Sequence, residues 1–173
     1  LNPNFANTLY NHGRNLIDLG QYKEAELSLR KAIKLNPNFA EAHLNLGSIL
    51  NDLGKLQEAE QSTRKAIEID PNFAIAYANL GNILKDLGKS QEAELSTRKA
   101  IELKPDFAMA HNNLGTILRD LGQLKEAEIC QRKAIELNPD YAMAHSNLGT
   151  ILSDLGNLKE AELSTRKAIE LNP

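Results

Sequence analysis

Two polar residue types recur along this chain at a spacing that could build a binding surface. Asparagine returns every 34 residues, and we call these five positions the asparagine column: Asn11, Asn45, Asn79, Asn113 and Asn147. A side-chain amide carries both hydrogen-bond donors and an acceptor. A column of amides could therefore bracket the amide groups of an extended peptide, whatever the side chains of that peptide are.

An aspartate stands seven residues after each asparagine, which places both on one helical face. We call these positions the aspartate column: Asp18, Asp52, Asp86, Asp120 and Asp154. The helix dipole opposes an acid in the last turn of a helix by roughly a few tenths of a kcal/mol, so local helix stability does not account for the column. It either meets a ligand or was copied along with the repeat without effect.

Further candidate residues surround the two columns. Asn82, Thr116 and Thr150 stand between an asparagine and the following aspartate. Ile75, Met109 and Met143 precede an asparagine by one helical turn. These apolar side chains could form pockets for ligand side chains, or they could serve helix packing, and the sequence leaves both interpretations open.

The elements that must position these residues are helices in a repeating pair. Every proline and every glycine keeps the 34-residue period, which is typical of a stacked repeat array. The repeats run over residues 6–39, 40–73, 74–107, 108–141 and 142–173. Because the period runs through the whole sequence, we predict a single repeat array over residues 1–173 with no strand.

The second repeat shows how each pair is built. Apolar residues at helical spacing predict a first helix from Ala40 to Leu53, ended by Gly54 as a left-handed cap. A second helix is predicted to end near Ile69. Gly47 lies inside the first helix, where glycine costs about 1 kcal/mol relative to alanine, and a close approach of the two helices is the expected compensation.

Each second helix also carries a glutamate four residues before an arginine, which we interpret as a solvated outer face. The pairs are Glu26/Arg30, Glu60/Arg64, Glu94/Arg98, Glu128/Arg132 and Glu162/Arg166. Each such pair is worth only about 0.2 to 0.5 kcal/mol.

Leu46-Gly47, Ala59 and Pro71, with their counterparts in the other repeats, resemble the pattern of the tetratricopeptide repeat family, whose period is also 34. The resemblance implies an all-α fold, a right-handed superhelical solenoid of five antiparallel helix pairs. It further implies that the first helices line a concave groove, so that both polar columns point into it. The asparagine column and the segment Lys104–Ala108 are similar to the repeat arm of O-linked N-acetylglucosamine transferases.

This resemblance predicts a non-enzymatic protein–protein interaction module that binds an extended peptide in the groove. The lysines and arginines of a carboxylate clamp are missing from the groove positions, and the aspartates favour a neutral or basic ligand. Two alternatives stay open: the segment could be the substrate-targeting arm of a larger transferase-type enzyme, or a structural array that self-assembles.

Composition and motifs exclude several other classes of function. A net charge of -3 and a pI near 5.8 give no basic field for nucleic acid, and apolar runs are too short to span a membrane. No phosphate-binding loop, nucleophile elbow or metal motif occurs, so we predict no enzyme activity, no cofactor and no metal. The single Cys130 is compatible with a reducing compartment, and we expect a cytoplasmic location.

The two ends of the array differ in polarity. In the first repeat Thr8, His12 and Asn15 stand where inner repeats carry apolar residues, as in a capping unit. The fifth repeat keeps the inner pattern at Ala161, Ala168 and Ile169, which leaves an apolar face. Either further repeats or a capping helix follow in a longer protein, or this face meets another molecule. For the isolated chain we expect weak self-association through its C-terminal end, as a two-fold dimer.

Overall fold

A computed structural model describes residues 3–172, in which ten α-helices and no strand occur. The chain divides into two compact units at the boundary between Leu87 and Gly88. Unit 1 contains α1 Pro3–Asp18, α2 Tyr22–Leu35, α3 Ala40–Asp52, α4 Leu56–Ile69 and α5 Ala74–Asp86. Unit 2 contains α6 Ser90–Leu103, α7 Ala108–Asp120, α8 Leu124–Leu137, α9 Ala142–Asp154 and α10 Leu158–Leu171. The all-α repeat array predicted from the sequence is confirmed.

In the second repeat the predicted helix bounds are correct to within one residue, because α3 ends at Asp52 instead of Leu53 and α4 ends at Ile69. The first helix begins at Pro3, three residues before the first repeat as we defined it. Proline is tolerated there because the first turn of a helix leaves its N–H groups unpaired in any case. Leu1, Asn2 and Pro173 lie outside the described residues.

A glycine ends each first helix in the left-handed conformation, as predicted. In the α3–α4 turn, Gly54 has φ 73°. Its N–H donates to the carbonyl of Asn51 at 2.9 Å, and the next N–H, of Lys55, donates to Leu50 at 2.8 Å. These two bonds satisfy carbonyls that the helix end leaves unpaired, so the turn reverses the chain within few residues.

The two helices of a pair approach closely at the glycine inside the first helix. A methyl group added at Gly47 would overlap the hydroxyl of Thr63 and lie 3.2 Å from the carbonyl oxygen of Ala59. Thr63 is fully buried and donates its hydroxyl to that same carbonyl at 2.9 Å. The expected compensation for a glycine at this position is therefore present.

Apolar clusters hold the first helices in place within each unit. In unit 1, Leu46, Ile49 and Leu50 of α3 lie in one buried cluster with residues of α2 and α4. In unit 2, Leu118 of α7 and Ile151 of α9 share another. Full burial of a leucine or isoleucine contributes about 1.5 to 3 kcal/mol, so the polar faces of α3, α7 and α9 are fixed on well-packed backbones.

The glutamates of the first four second helices are less exposed than the solvated face that we predicted, whereas the Glu162 side chain of α10 is 70% exposed. The side chain of Glu26 is only 12% exposed and accepts from Arg30, four residues on, and from Lys55 of the next repeat at 2.9 Å. Burial raises its pKa, but the hydrogen bonds from Lys55 and Arg30 outweigh this and leave the pKa below the usual value. The inner pairs thus join neighbouring repeats.

Candidate functional site

The residues of the candidate site lie on the first helix of each pair. The asparagine and aspartate columns stand seven residues apart, close to two helical turns, so that both face the same way. Within unit 1, α3 contacts both α1 and α5; within unit 2, α7 contacts α9. Side chains of adjacent first helices therefore come within hydrogen-bonding reach of each other.

In unit 1 the asparagine amides donate to the preceding first helix. Asn79 Nδ2 donates to the hydroxyl of Ser48 at 2.8 Å, and Ser48 in turn donates to the carbonyl of Leu44 at 3.2 Å. Asn45 Nδ2 makes a longer contact, 3.4 Å, with the hydroxyl of Tyr10. One N–H of each amide is thus used within the protein, and the side-chain oxygens of Asn45 and Asn79 accept no hydrogen bond from the described residues.

In unit 2 the amides form a network that sequence reasoning did not anticipate. Asn147 Nδ2 donates to Asn112 Oδ1 at 2.8 Å, and Asn112 Nδ2 donates to Asn113 Oδ1 at 3.4 Å. Gln131 donates to the backbone carbonyl of Asn112 at 3.0 Å. Asn113 is only 6% exposed, and its Nδ2 has no hydrogen-bond partner among the described residues. The structure therefore places Asn113 as a buried donor, whereas Asn147 is half-buried.

The aspartate column is exposed along all five first helices. Asp154 accepts from Arg119 of the preceding first helix at 2.7 Å, and Asp86 lies 3.7 Å from its neighbour Lys85. Asp52 and Asp120 form no ion pair with any residue that the structure describes. These two carboxylates are therefore open to a cation from outside.

A polar cavity of about 150 Å³ lies between α3 and α5 in unit 1. It is lined by Ser48, Asn51, Asp52, Asn79, Asn82 and Ile83. Asn51 Oδ1 is buried and, within residues 3–172, unpaired. Cavities of this size hold a benzene-sized group. The cavity thus brings together the Asp52 carboxylate and Asn51, whose buried side-chain oxygen lacks a donor.

Of the other predicted contact residues, some are exposed and some form hydrogen bonds within their own helix. Ile75 and Met143 are exposed, Met109 is half-buried, and Asn11 is exposed on α1. The hydroxyls of Thr116 and Thr150 donate to carbonyls of their own helices, to Asn113 at 2.8 Å and to Ser146 at 3.1 Å. The structure brings Asn79, Asn82 and Asp52 together in the cavity; Asp86 and Asp120 do not line it.

Three histidines hold the loops before the first helices. Their Nε2 atoms donate to proline carbonyls six residues earlier: His43 to Pro37 at 3.0 Å, His111 to Pro105 at 2.9 Å and His145 to Pro139 at 2.9 Å. Because a carbonyl can only accept, each Nε2 carries a proton. Burial lowers the pKa of His43. In the described part of the chain, no three His, Cys, Asp or Glu side chains could share a metal ion.

A second cavity, about 460 Å³ and mainly apolar, lies among α6, α7 and α8. Ile101, Leu114, Ile129 and Cys130 line it, with charged side chains around them. Burial raises the pKa of Cys130 to about 11, so that its thiol stays protonated at neutral pH. Sequence reasoning missed this cavity, whose lining residue Ile129 is 67% exposed.

Comparisons with known proteins place the chain in a family. Profiles described as Tetratricopeptide repeat match residues 10–72, 63–94 and 106–173. A search of curated proteins finds no match. No helix within residues 3–172 combines the length and hydrophobicity that a membrane crossing requires.

Three solved structures illustrate the similarity of fold. MamA shares 28% identity with a TM-score of 0.77, over 92% of this chain and 93% of that one. TTC0263, a thermophilic protein of Thermus thermophilus, shares 24% identity with a TM-score of 0.84, over 97% and 92%. YrrB, described as having an unusual peptide-binding site, shares 24% identity with a TM-score of 0.70, over 95% and 85%.

These profiles together cover most of the chain, and the helix pairs, glycine caps and close glycine contacts recur with the same 34-residue period. This is the organisation of a protein-interaction repeat module. The chain belongs to the tetratricopeptide repeat family.

Proposed function

We propose that this chain is a non-enzymatic module that binds an extended peptide along its first helices and prefers neutral or basic segments. The observation that carries the proposal is the polar cavity between α3 and α5. There the buried oxygen of Asn51 lacks a donor and the Asp52 carboxylate lacks a cation.

The hydrogen-bonding capacity of unit 1 is biased toward accepting. Asn79 and Asn45 each use one N–H on the preceding helix, which leaves their carbonyl oxygens for a ligand. A buried acceptor without a partner costs roughly 1 to 3 kcal/mol. A ligand that supplies donors recovers that cost, and peptide N–H groups, lysine and arginine are such donors.

The negative charge of the aspartate column also favours a ligand that donates hydrogen bonds or carries a positive charge. Asp52 and Asp120 have no counter-ion among the described residues, and the chain carries a net charge of -3. An acidic peptide would be repelled by these carboxylates, whereas a lysine side chain could pair with Asp52. Similarity in fold to YrrB, which has a peptide-binding site, is consistent with peptide binding by this chain.

Three fluorescein-labelled peptides of twelve residues test the proposal: alternating alanine and lysine, alanine and serine, and alanine and glutamate. Fluorescence anisotropy measures their affinities at low and high salt. We expect the lysine peptide to bind best and the glutamate peptide worst, with the difference shrinking as salt screens the carboxylates. Tighter binding of the glutamate peptide would refute the charge preference.

The variant Asp52→Asn tests whether the affinity for the lysine peptide depends on this carboxylate itself or only on the net charge of the protein. An exposed ion pair is worth about 0.2 to 1 kcal/mol, so the variant should weaken the lysine peptide up to about fivefold. Asp106→Asn is the matched control, because it removes the same charge from the exposed α6–α7 loop. Equal losses in both variants would show that only net charge matters.

The proposal includes a cytoplasmic location. The single, buried Cys130 forms no disulfide, as is common where thiols stay reduced. Fusion to a fluorescent protein and microscopy of the expressing cell would test this, and a secreted or periplasmic signal would contradict it.

A further inference from the structure

Three side chains that line the α3–α5 cavity of unit 1 keep a free acceptor oxygen. The hydroxyl of Ser48 is already used, since it donates to Leu44 and accepts from Asn79. The side-chain oxygen of Asn79 accepts no hydrogen bond from the described residues. The exposed Asp52 and the half-buried Asn82 have no side-chain partner among those residues either. The cavity therefore offers one carboxylate and two amide oxygens to a donor.

Unit 2 carries an arginine at the repeat position that Asn51 holds in unit 1. This residue, Arg119, stands two repeats after Asn51 and lies near the end of α7. Its Nε donates to Oδ2 of Asp154 on α9 at 2.7 Å, so the guanidinium bridges two adjacent first helices. Asp154 belongs to the aspartate column. An arginine of the chain itself thus shows how a guanidinium pairs with this column.

Unit 1 has the aspartates of this arrangement but lacks the arginine. Asp86, the equivalent of Asp154, has only its sequence neighbour Lys85 as an ion-pair partner in the described part of the chain, at 3.7 Å. Asn51 is shorter than an arginine and carries no charge, and it lines the cavity. The place that a guanidinium takes between α7 and α9 is therefore open between α3 and α5.

The size and the acceptors of this cavity suit a guanidinium better than an ammonium. Its volume is about 150 Å³, which is enough for a planar group of the size of benzene. A guanidinium presents five N–H donors in a fixed fork and takes a carboxylate with two parallel hydrogen bonds, whereas the lysine ammonium is a compact point charge. The guanidinium is also more weakly hydrated, so it loses less solvation when it enters a half-enclosed space.

We propose that the α3–α5 cavity binds an arginine side chain of the peptide and prefers it to lysine. This inference rests on the proposed function, because it assigns one residue type of the ligand to the site described there. The guanidinium pairs with Asp52 and donates its remaining N–H groups to the side-chain oxygens of Asn79 and Asn82. Ile83, which also lines the cavity, gives the flat face of the guanidinium an apolar contact. The ligand is thus a peptide anchored by arginine.

Three fluorescein-labelled peptides of twelve residues test the preference for arginine. In them alanine alternates with arginine, with lysine, or with citrulline, which has nearly the shape of arginine but no charge. Fluorescence anisotropy should show that the arginine peptide binds roughly threefold to tenfold more tightly than the lysine peptide, as expected for one more net hydrogen bond. The citrulline peptide should bind more weakly than either, because it cannot form an ion pair with Asp52.

The variant Asn51→Arg tests where the guanidinium binds, because it supplies from the chain what the peptide is proposed to supply. The new side chain should pair with Asp86 as Arg119 pairs with Asp154, and so fill the cavity. We expect the preference for arginine over lysine to disappear. Asn72→Arg is the matched control, since it makes the same change at an exposed position in the α4–α5 loop, and it should keep the preference. Circular dichroism checks that both variants fold.

The peptide series separates the arginine site from the broader peptide-binding proposal. If the lysine peptide binds as tightly as the arginine peptide, and both bind better than the alanine–glutamate peptide, the arginine site is overturned and the proposed function stands. If none of these peptides binds, both are overturned. A preference for arginine that persists in Asn51→Arg, or that Asn72→Arg abolishes equally, would place the guanidinium elsewhere and overturn the inference. Citrulline binding as tight as that of arginine would do the same.

Discussion

Replacing Asn51 with leucine should stabilise the free protein and weaken peptide binding at the same time. The side-chain oxygen of Asn51 is buried in the α3–α5 cavity, with no donor within residues 3–172. Leucine has a similar shape, carries no polar atom and favours the helix. The equivalent residue of α1, Ile17, shows that an aliphatic side chain is accommodated in the same repeat position.

The expected changes in stability and in affinity depend on whether the Asn51 oxygen is unpaired, as in the free protein, or paired with the peptide. An unpaired buried acceptor costs about 1 to 3 kcal/mol, so its removal should raise the free energy of unfolding by roughly 1 to 2 kcal/mol. When a lysine ammonium donates to the same oxygen, the bond to a charged group is worth about 1.5 to 3 kcal/mol. Its loss should weaken the alanine–lysine peptide on the order of tenfold to a hundredfold.

Urea-induced unfolding followed by circular dichroism measures the first effect, and fluorescence anisotropy with the labelled peptide measures the second. Ser153→Leu is the control, because Ser153 occupies the same repeat position in α9 but is exposed. That variant should change stability by no more than about 0.5 kcal/mol. A destabilised Asn51→Leu protein, or one that binds the peptide as well as before, would show that the Asn51 oxygen is not an unpaired acceptor used by the peptide.

Three further predictions concern the asparagine column, the helix contact and the cysteine. Changing Asn79 to alanine should weaken peptide binding roughly twofold to tenfold, as expected for one net hydrogen bond, whereas unchanged affinity with an intact fold would move the site elsewhere. Gly47→Ala should destabilise the protein despite about 1 kcal/mol of better helix propensity, because the added methyl overlaps Thr63. Adding Thr63→Ala should recover stability, and urea denaturation of both variants measures the two effects. Cys130, whose pKa is raised from 9.0 to about 11, should react with iodoacetamide at pH 8 roughly a hundredfold more slowly than in denaturant; equal rates would contradict its burial.

The helices were predictable because their signals are local. Gly54 stops α3 through its own backbone freedom, and Pro71 excludes a helix through its ring. The contact at Gly47 could also be foreseen, because a glycine inside a helix needs a reason. Such signals require no knowledge of which repeats meet in space.

The environment of the candidate site depended on contacts between different repeat positions. Glu26 is buried by Lys55, which lies 29 residues away, so its spacing from Arg30 alone suggested a solvated pair. Asn79 donates to Ser48, which the period does not relate to it. Asn113 became buried beside Asn112, a residue that only the fourth repeat carries at that position. Residues at the same position of different repeats therefore have different neighbours and different burial.

We propose that a donor-bearing peptide binds on the first helices and fills the α3–α5 cavity. Amide and side-chain NMR shifts of the ¹⁵N-labelled protein, titrated with the alanine–lysine peptide, test it most directly. We expect the largest changes at Ser48, Asn51, Asp52 and Asn79. Changes concentrated around Ile129 in the apolar cavity of α6 and α8, with none on α3 or α5, would contradict it.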